Sequence, residues 1–89
     1  MNDRIAIESL AMDLKRVALG LHRGSFKMAE RFTIEAFSRI DEVKDKTDKY
    51  LGKLLLTTRS LLQNQNPEVA EDILMYSILI QNYAILRMK

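Results

Sequence analysis

The 89-residue chain contains no cysteine and no tryptophan, one proline, three glycines and one histidine. Without cysteine there are no disulfides and no thiolate metal sites. The usual staple of a small secreted domain is also missing, which makes a reducing, cytoplasmic setting the default expectation. One histidine cannot furnish the paired Glu-x-x-His motifs of helical di-iron proteins. Gly20, Gly24 and Gly52 stand apart, so there is no glycine-rich phosphate loop. Strict apolar–polar alternation, the mark of a strand, is absent, as are the Asn-Gly and Asp-Gly hairpin dipeptides. Neither sign of charge dominates: 14 Lys and Arg face 12 Asp and Glu, a net +2 that is too small to argue for nucleic acid by itself. The opening stretch MNDRIAIESLAMDLKR breaks every apolar run with a charge, which excludes a signal-peptide core.

What is present is helix-forming and apolar. Hydrophobic residues make up 47% of the chain, which is not a disordered composition, and the length suits one domain. Ile7, Leu10, Leu14, Val17 and Leu21 recur at spacings of three and four and define one amphipathic helix, about residues 4–22. Asn2 or Asp3 can open it. Gly24 suits the left-handed position after its last turn, and Ser25 is placed to cap the next helix. In QNQNPE, Asn66 fits an N-cap and Pro67 the first helical position, with Glu68, Glu71 and Asp72 complementing the macrodipole.

Two layouts fit the middle of the chain. Phe26, Ala29, Thr33, Ala36, Ile40, Val43, Thr47, Tyr50, Leu54, Thr57 and Leu61 hold one unbroken three–four register. A single helix over that stretch would be about 57 Å long. The alternative is two helices, about 26–44 and 48–63, with Thr47 or Asp48 capping the second. Gly52 would cost about 1 kcal/mol inside a helix, which does not force a break. The last helix covers about residues 67–88. The fold class is therefore all-α: an antiparallel bundle of three or four helices in a single domain, completed by dimerisation.

The closing stretch ILMYSILIQNYAILRMK is apolar on nearly every side. It falls short of the roughly 20 apolar residues of a membrane span, and Gln81 and Asn82 interrupt it, so no span is expected. Ala70, Ile73, Ser77, Ile80 and Ala84 form one face, with small residues that permit close approach. Val69, Tyr76, Ile80, Tyr83 and Arg87 form a second, and Leu74, Met75, Leu79, Ile85 and Leu86 fill most of the gaps. So small a domain cannot cover every side of this helix. Tyr76, Leu79, Ile80, Tyr83 and Leu86 are accordingly expected at a protein interface, foremost with a second copy and otherwise with another protein. Gln81 can pair with its own copy across a two-fold axis and fix register.

The remaining candidate is basic. Arg16, Arg23, Lys27 and Arg31 straddle the Gly24–Ser25 turn, and His22 joins them; together they are a candidate nucleic-acid contact. Arg16 and His22 lie six residues apart, a pairing too common to imply catalysis. Asp41, Glu42, Asp45 and Asp48 alternate with Lys44, Lys46 and Lys49, as a solvated face does. No catalytic, cofactor-binding or metal-ligating set emerges. The sequence therefore supports a non-enzymatic, homo-oligomeric helical interaction or scaffold module. A small nucleic-acid-binding protein using the basic end is the alternative.

Overall fold

The computed structural model describes residues 2–88. Four helices run up, down, up and down: α1 (Asp3–Arg23), α2 (Phe26–Val43), α3 (Lys49–Gln63) and α4 (Ala70–Arg87). One 3₁₀ turn, Lys44–Lys46, joins α2 to α3, and another, Pro67–Val69, leads into α4. The all-α antiparallel bundle expected from periodicity is the observed fold, in its four-helix form.

Local chemistry sets the ends of the helices. The Asn2 side chain accepts a bond from the Ile5 N–H at 2.8 Å and caps α1. Gly24 takes φ 74°, and the Gly24 and Ser25 N–H groups donate to the Leu21 and Gly20 carbonyls, a Schellman closure of α1. The Ser25 hydroxyl makes no capping bond, contrary to expectation. Its backbone carbonyl instead accepts from the Ala29 N–H at 3.1 Å. Asn66 caps the turn before α4 by accepting from the Glu68 N–H at 2.9 Å, with Pro67 following it.

The middle of the chain breaks at Thr47 and Asp48, whose extended backbones (ψ 148° and 177°) cannot continue a helix. The Asp48 carboxylate accepts from the Leu51 N–H at 2.8 Å and starts α3. Thr47 does not cap; its hydroxyl donates to the Lys44 carbonyl and closes the preceding turn. A 57 Å helix has no place in a body 35 Å long. The break also resets the register. Ala29, Thr33, Ala36, Ile40 and Val43 are buried as the register requires, but α3 buries Leu51, Leu54, Leu55, Thr58 and Leu62. Tyr50, Thr57 and Phe26, assigned to the same stripe, are exposed.

α1 is the most enclosed helix, lying along both α2 and α4. Its predicted stripe, Ile7, Leu10, Leu14, Val17 and Leu21, is at most 2% exposed. Gly20 makes the turn into α2 compact: a Cβ there would lie 2.9 Å from the Ala29 backbone nitrogen. α3 meets α4 and approaches α2 less closely, so α1 and α3 sit on opposite corners. The protomer closes this core by itself. Its accessible surface is 5596 Å², against roughly 5400 Å² expected for a compact monomer of this mass. Any partner would meet the surface that remains outside this core.

Candidate interaction surfaces

Helix α4 divides the predicted interface residues three ways. Its core face is the first of the two read from sequence: Ala70, Ile73, Ser77, Ile80 and Ala84 are buried. Ile80, expected at an interface, is 0% exposed inside the protomer and cannot touch a neighbour. The reason is angular. Ile80 lies on the same side of the helix as Ile73, Ser77 and Ala84, all of which the bundle covers. The buried Ser77 hydroxyl is satisfied by donating to the Leu74 carbonyl.

Tyr76 and Tyr83 are half-buried. Tyr83 is turned toward α3: its ring stacks on Tyr50 with centroids 6.1 Å apart, and its hydroxyl donates to the Asp48 carboxylate at 2.8 Å. The Arg87 guanidinium lies 4.9 Å from the Tyr50 ring and 5.7 Å from the Tyr83 ring, with a nitrogen 3.9 Å from Asp48. This cluster ties the start of α3 to the end of α4. The Leu51 N–H, and then the Tyr83 hydroxyl, stabilise the Asp48 carboxylate and hold its pKa below the ordinary value. Partial burial and the neighbouring carboxylate push the Tyr83 phenol up. Tyr83 and Arg87 share one face of α4 by their spacing, but their common partner Asp48 lies 35 and 39 residues earlier, beyond the reach of local periodicity.

Leu79 is half-buried and packs against the core, whereas Leu86 is 70% exposed. Leu86 shares the outside of α4 with Leu74, Met75, Ile78 and Ile85, all exposed. α1 runs antiparallel beside this surface: Met12 and Lys15 line a groove with Ser77 and Ile78, whereas Leu19 and His22 line one with Ala70 and Leu74. Ile5, Met12 and Leu19, at heptad spacing on α1, are exposed as well and extend the apolar surface. Gln81 and Asn82 are solvated within it. The seam beneath is built from Ala11, Ala18, Ala70, Ser77 and Ala84, small residues that bring the two backbones close and displace bulk to the outside. Among the described residues one helical segment, Pro67–Arg87, is long and apolar enough to cross a membrane by length and composition. Here it is the fourth bundle helix, and its inner stripe covers α1.

Arg16 and Arg31 converge on Phe32 from two helices, with guanidinium carbons 5.1 and 5.4 Å from the ring centroid. Arg16 also pairs with the nearly buried Asp13 at 3.7 Å. Desolvation raises the Asp13 carboxyl, helped by Glu35 and opposed by Arg39 and Arg16. His22 lines a groove with Ala70, Glu71 and Leu74 of α4. Arg23 and Lys27 are exposed at the turn. In the charged middle, Asp41 pairs with Lys44 at 3.8 Å and Arg59 at 3.1 Å, and Lys46 reaches Asp3 at 3.6 Å. Among the described residues no group of three or more Asp, Glu, His or Cys is arranged to hold a metal ion. Comparisons with protein-family models, with characterised proteins and with solved structures find no match to this chain.

Proposed function

We propose that this chain is a non-enzymatic helical module that pairs with a second copy of itself through the outer face of α4, flanked by α1. The observation that supports this reading is a long apolar surface with no charge at its centre. From Ile73 to Leu86 there is no charged residue, and five large side chains on that stretch point into solvent. In a two-fold dimer a patch meets itself, so any charge near the axis faces its own like charge. A neutral apolar patch is what self-pairing requires. A body 35 × 21 × 19 Å offers a face comparable with the roughly 800 Å² that each partner contributes to a standard interface. Gln81 and Asn82 supply hydrogen-bonding groups that fix the register of the pair. The cysteine-free chain suits a reducing cytoplasm.

Sedimentation equilibrium tests the proposal. The wild-type chain is expected at twice 10.3 kDa, and Ile78→Asp at the single-chain mass with its helical circular dichroism intact. A wild-type mass of one chain at tens of micromolar overturns the proposal. Added salt should leave an apolar dimer in place or strengthen it. Binding to a nucleic acid through Arg23 and Lys27 would instead fall steeply with salt. Such a slope, lost in Lys27→Glu, would move the assignment to the basic end.

A further inference from the structure

On the opposite side of the bundle, where α2 and α3 stand apart, lies a groove of about 400 Å³. Its floor is Ile40 and Leu55, both buried, and Leu56 stands beside them 71% exposed. Its rim carries Lys44, Lys49, Lys53 and Arg59 and no acidic residue, in a chain whose net charge is only +2. Asp41, just outside, pairs with Lys44 and Arg59. Lys49 and Lys53 have no ion-pair partner among the described residues and are left to meet an incoming anion. We propose that this groove binds a single-chain anionic amphiphile, a fatty-acid carboxylate or its close equivalent, with the alkyl chain on Ile40, Leu55 and Leu56 and the head group between Lys49 and Lys53.

Gly52 is the second observation. It sits within α3 and lines the groove. Glycine is the poorest helix former after proline, and nothing nearby requires it. Its φ is not positive, and a Cβ there would meet only the Thr47 hydroxyl, at an ordinary 3.4 Å. Gly20, by contrast, is enforced by backbone contact. What the missing side chain at 52 does is keep the groove open. The lining also selects the occupant. Ile40 and the lining from Gly52 to Arg59 lie within α2 and α3, where backbone groups are spent in helices, and the Thr47 hydroxyl is spent on the Lys44 carbonyl. An extended peptide would bury unpaired amides there, whereas an alkyl chain has none to bury. The volume lies near the lower end for small-ligand pockets and suits one chain rather than a two-tailed lipid.

Isothermal titration with dodecanoate, below its micelle concentration, tests the proposal on the wild-type chain. One saturable site per chain is expected, with dodecyltrimethylammonium at least tenfold weaker because the rim repels its head group. Gly52→Leu fills the groove from a position where leucine favours the helix, so it should abolish binding while raising the melting temperature. Lys49→Glu/Lys53→Glu should reverse the preference between the two amphiphiles. Equal binding of both amphiphiles, undiminished binding by Gly52→Leu, or a site that takes poly-glutamate but not dodecanoate would each overturn the proposal. The outcome is independent of dimerisation, because the groove and the α4 face lie on opposite sides.

Discussion

The two faces of the bundle solve the same packing problem in opposite ways. Between α1 and α4 the contact residues are small, the backbones lie close, and large side chains are displaced outward, where they form an apolar surface whose α4 stretch from Ile73 to Leu86 carries no charge. Between α2 and α3 the contact residues are larger, with Arg59 laid over Phe37 at 5.5 Å, and a groove with a cationic rim remains. The size of residues at a seam therefore decides whether apolar area appears outside the seam or within it. The first arrangement presents a flat surface that another protein surface can match; the second presents a slot suited to a narrow ligand.

Substitutions can break this contrast, beginning with the core that both faces share. Ile80→Asp places a carboxylate where the side chain is 0% exposed. Truncating such a residue costs about 2–5 kcal/mol before any charge is buried. The variant should lose cooperative melting by circular dichroism altogether. Ile78→Asp, two residues earlier and half-exposed, should keep its helices and weaken dimerisation by about 100-fold, roughly 2.8 kcal/mol, read by sedimentation. If both variants unfold, α4 has no separable outer face. Gly20→Ala drives a methyl into the Ala29 backbone and should lower stability by about 1–3 kcal/mol in denaturant titration. Gly52→Ala should raise it by up to about 1 kcal/mol, a difference in sign between two helical glycines. Thr58 is fully buried in α3 with its hydroxyl unbonded, so Thr58→Val should gain about 1 kcal/mol.

The pH dependence sharpens the comparison with the smallest effects. Asp48 has a folded pKa below its ordinary 3.8. Its contribution is complete above that value and disappears as acid carries the carboxyl through its lower folded pKa. Asp13, held above 3.8 by desolvation, acts in the opposite sense. The folded state binds that proton more tightly, so stability falls as pH rises from 3.8 through the raised value. Acid denaturation of Asp13→Asn should lack this component, and that of Asp48→Asn should lack the other.

Periodicity made much of this legible. The stripe of α1 and the inner face of α4 follow directly from the spacing of apolar residues, and Gly24 and Asn66 marked two of the helix boundaries. The turn at residues 44–48 is ambiguous in sequence because Thr47 fits the three–four register as well as it fits a cap. Only the closing of a core, a long-range gain, settles it. Ile80 was misassigned for a related reason. It belongs to both apolar faces of α4, and sequence does not reveal which face α1 will cover. The Asp48–Tyr83–Arg87 cluster and the rim of the α2–α3 groove join residues distant along the chain, and no local spacing encodes such meetings.

The Asp48 carboxylate holds the Leu51 amide with one oxygen and the Tyr83 hydroxyl, near Arg87, with the other. A residue midway along the chain thereby acts as a latch for its far end. Fraying of the final helical turn should be felt at the first turn of α3, and hydrogen exchange at the Leu51 amide should quicken when Tyr83 is replaced by Phe.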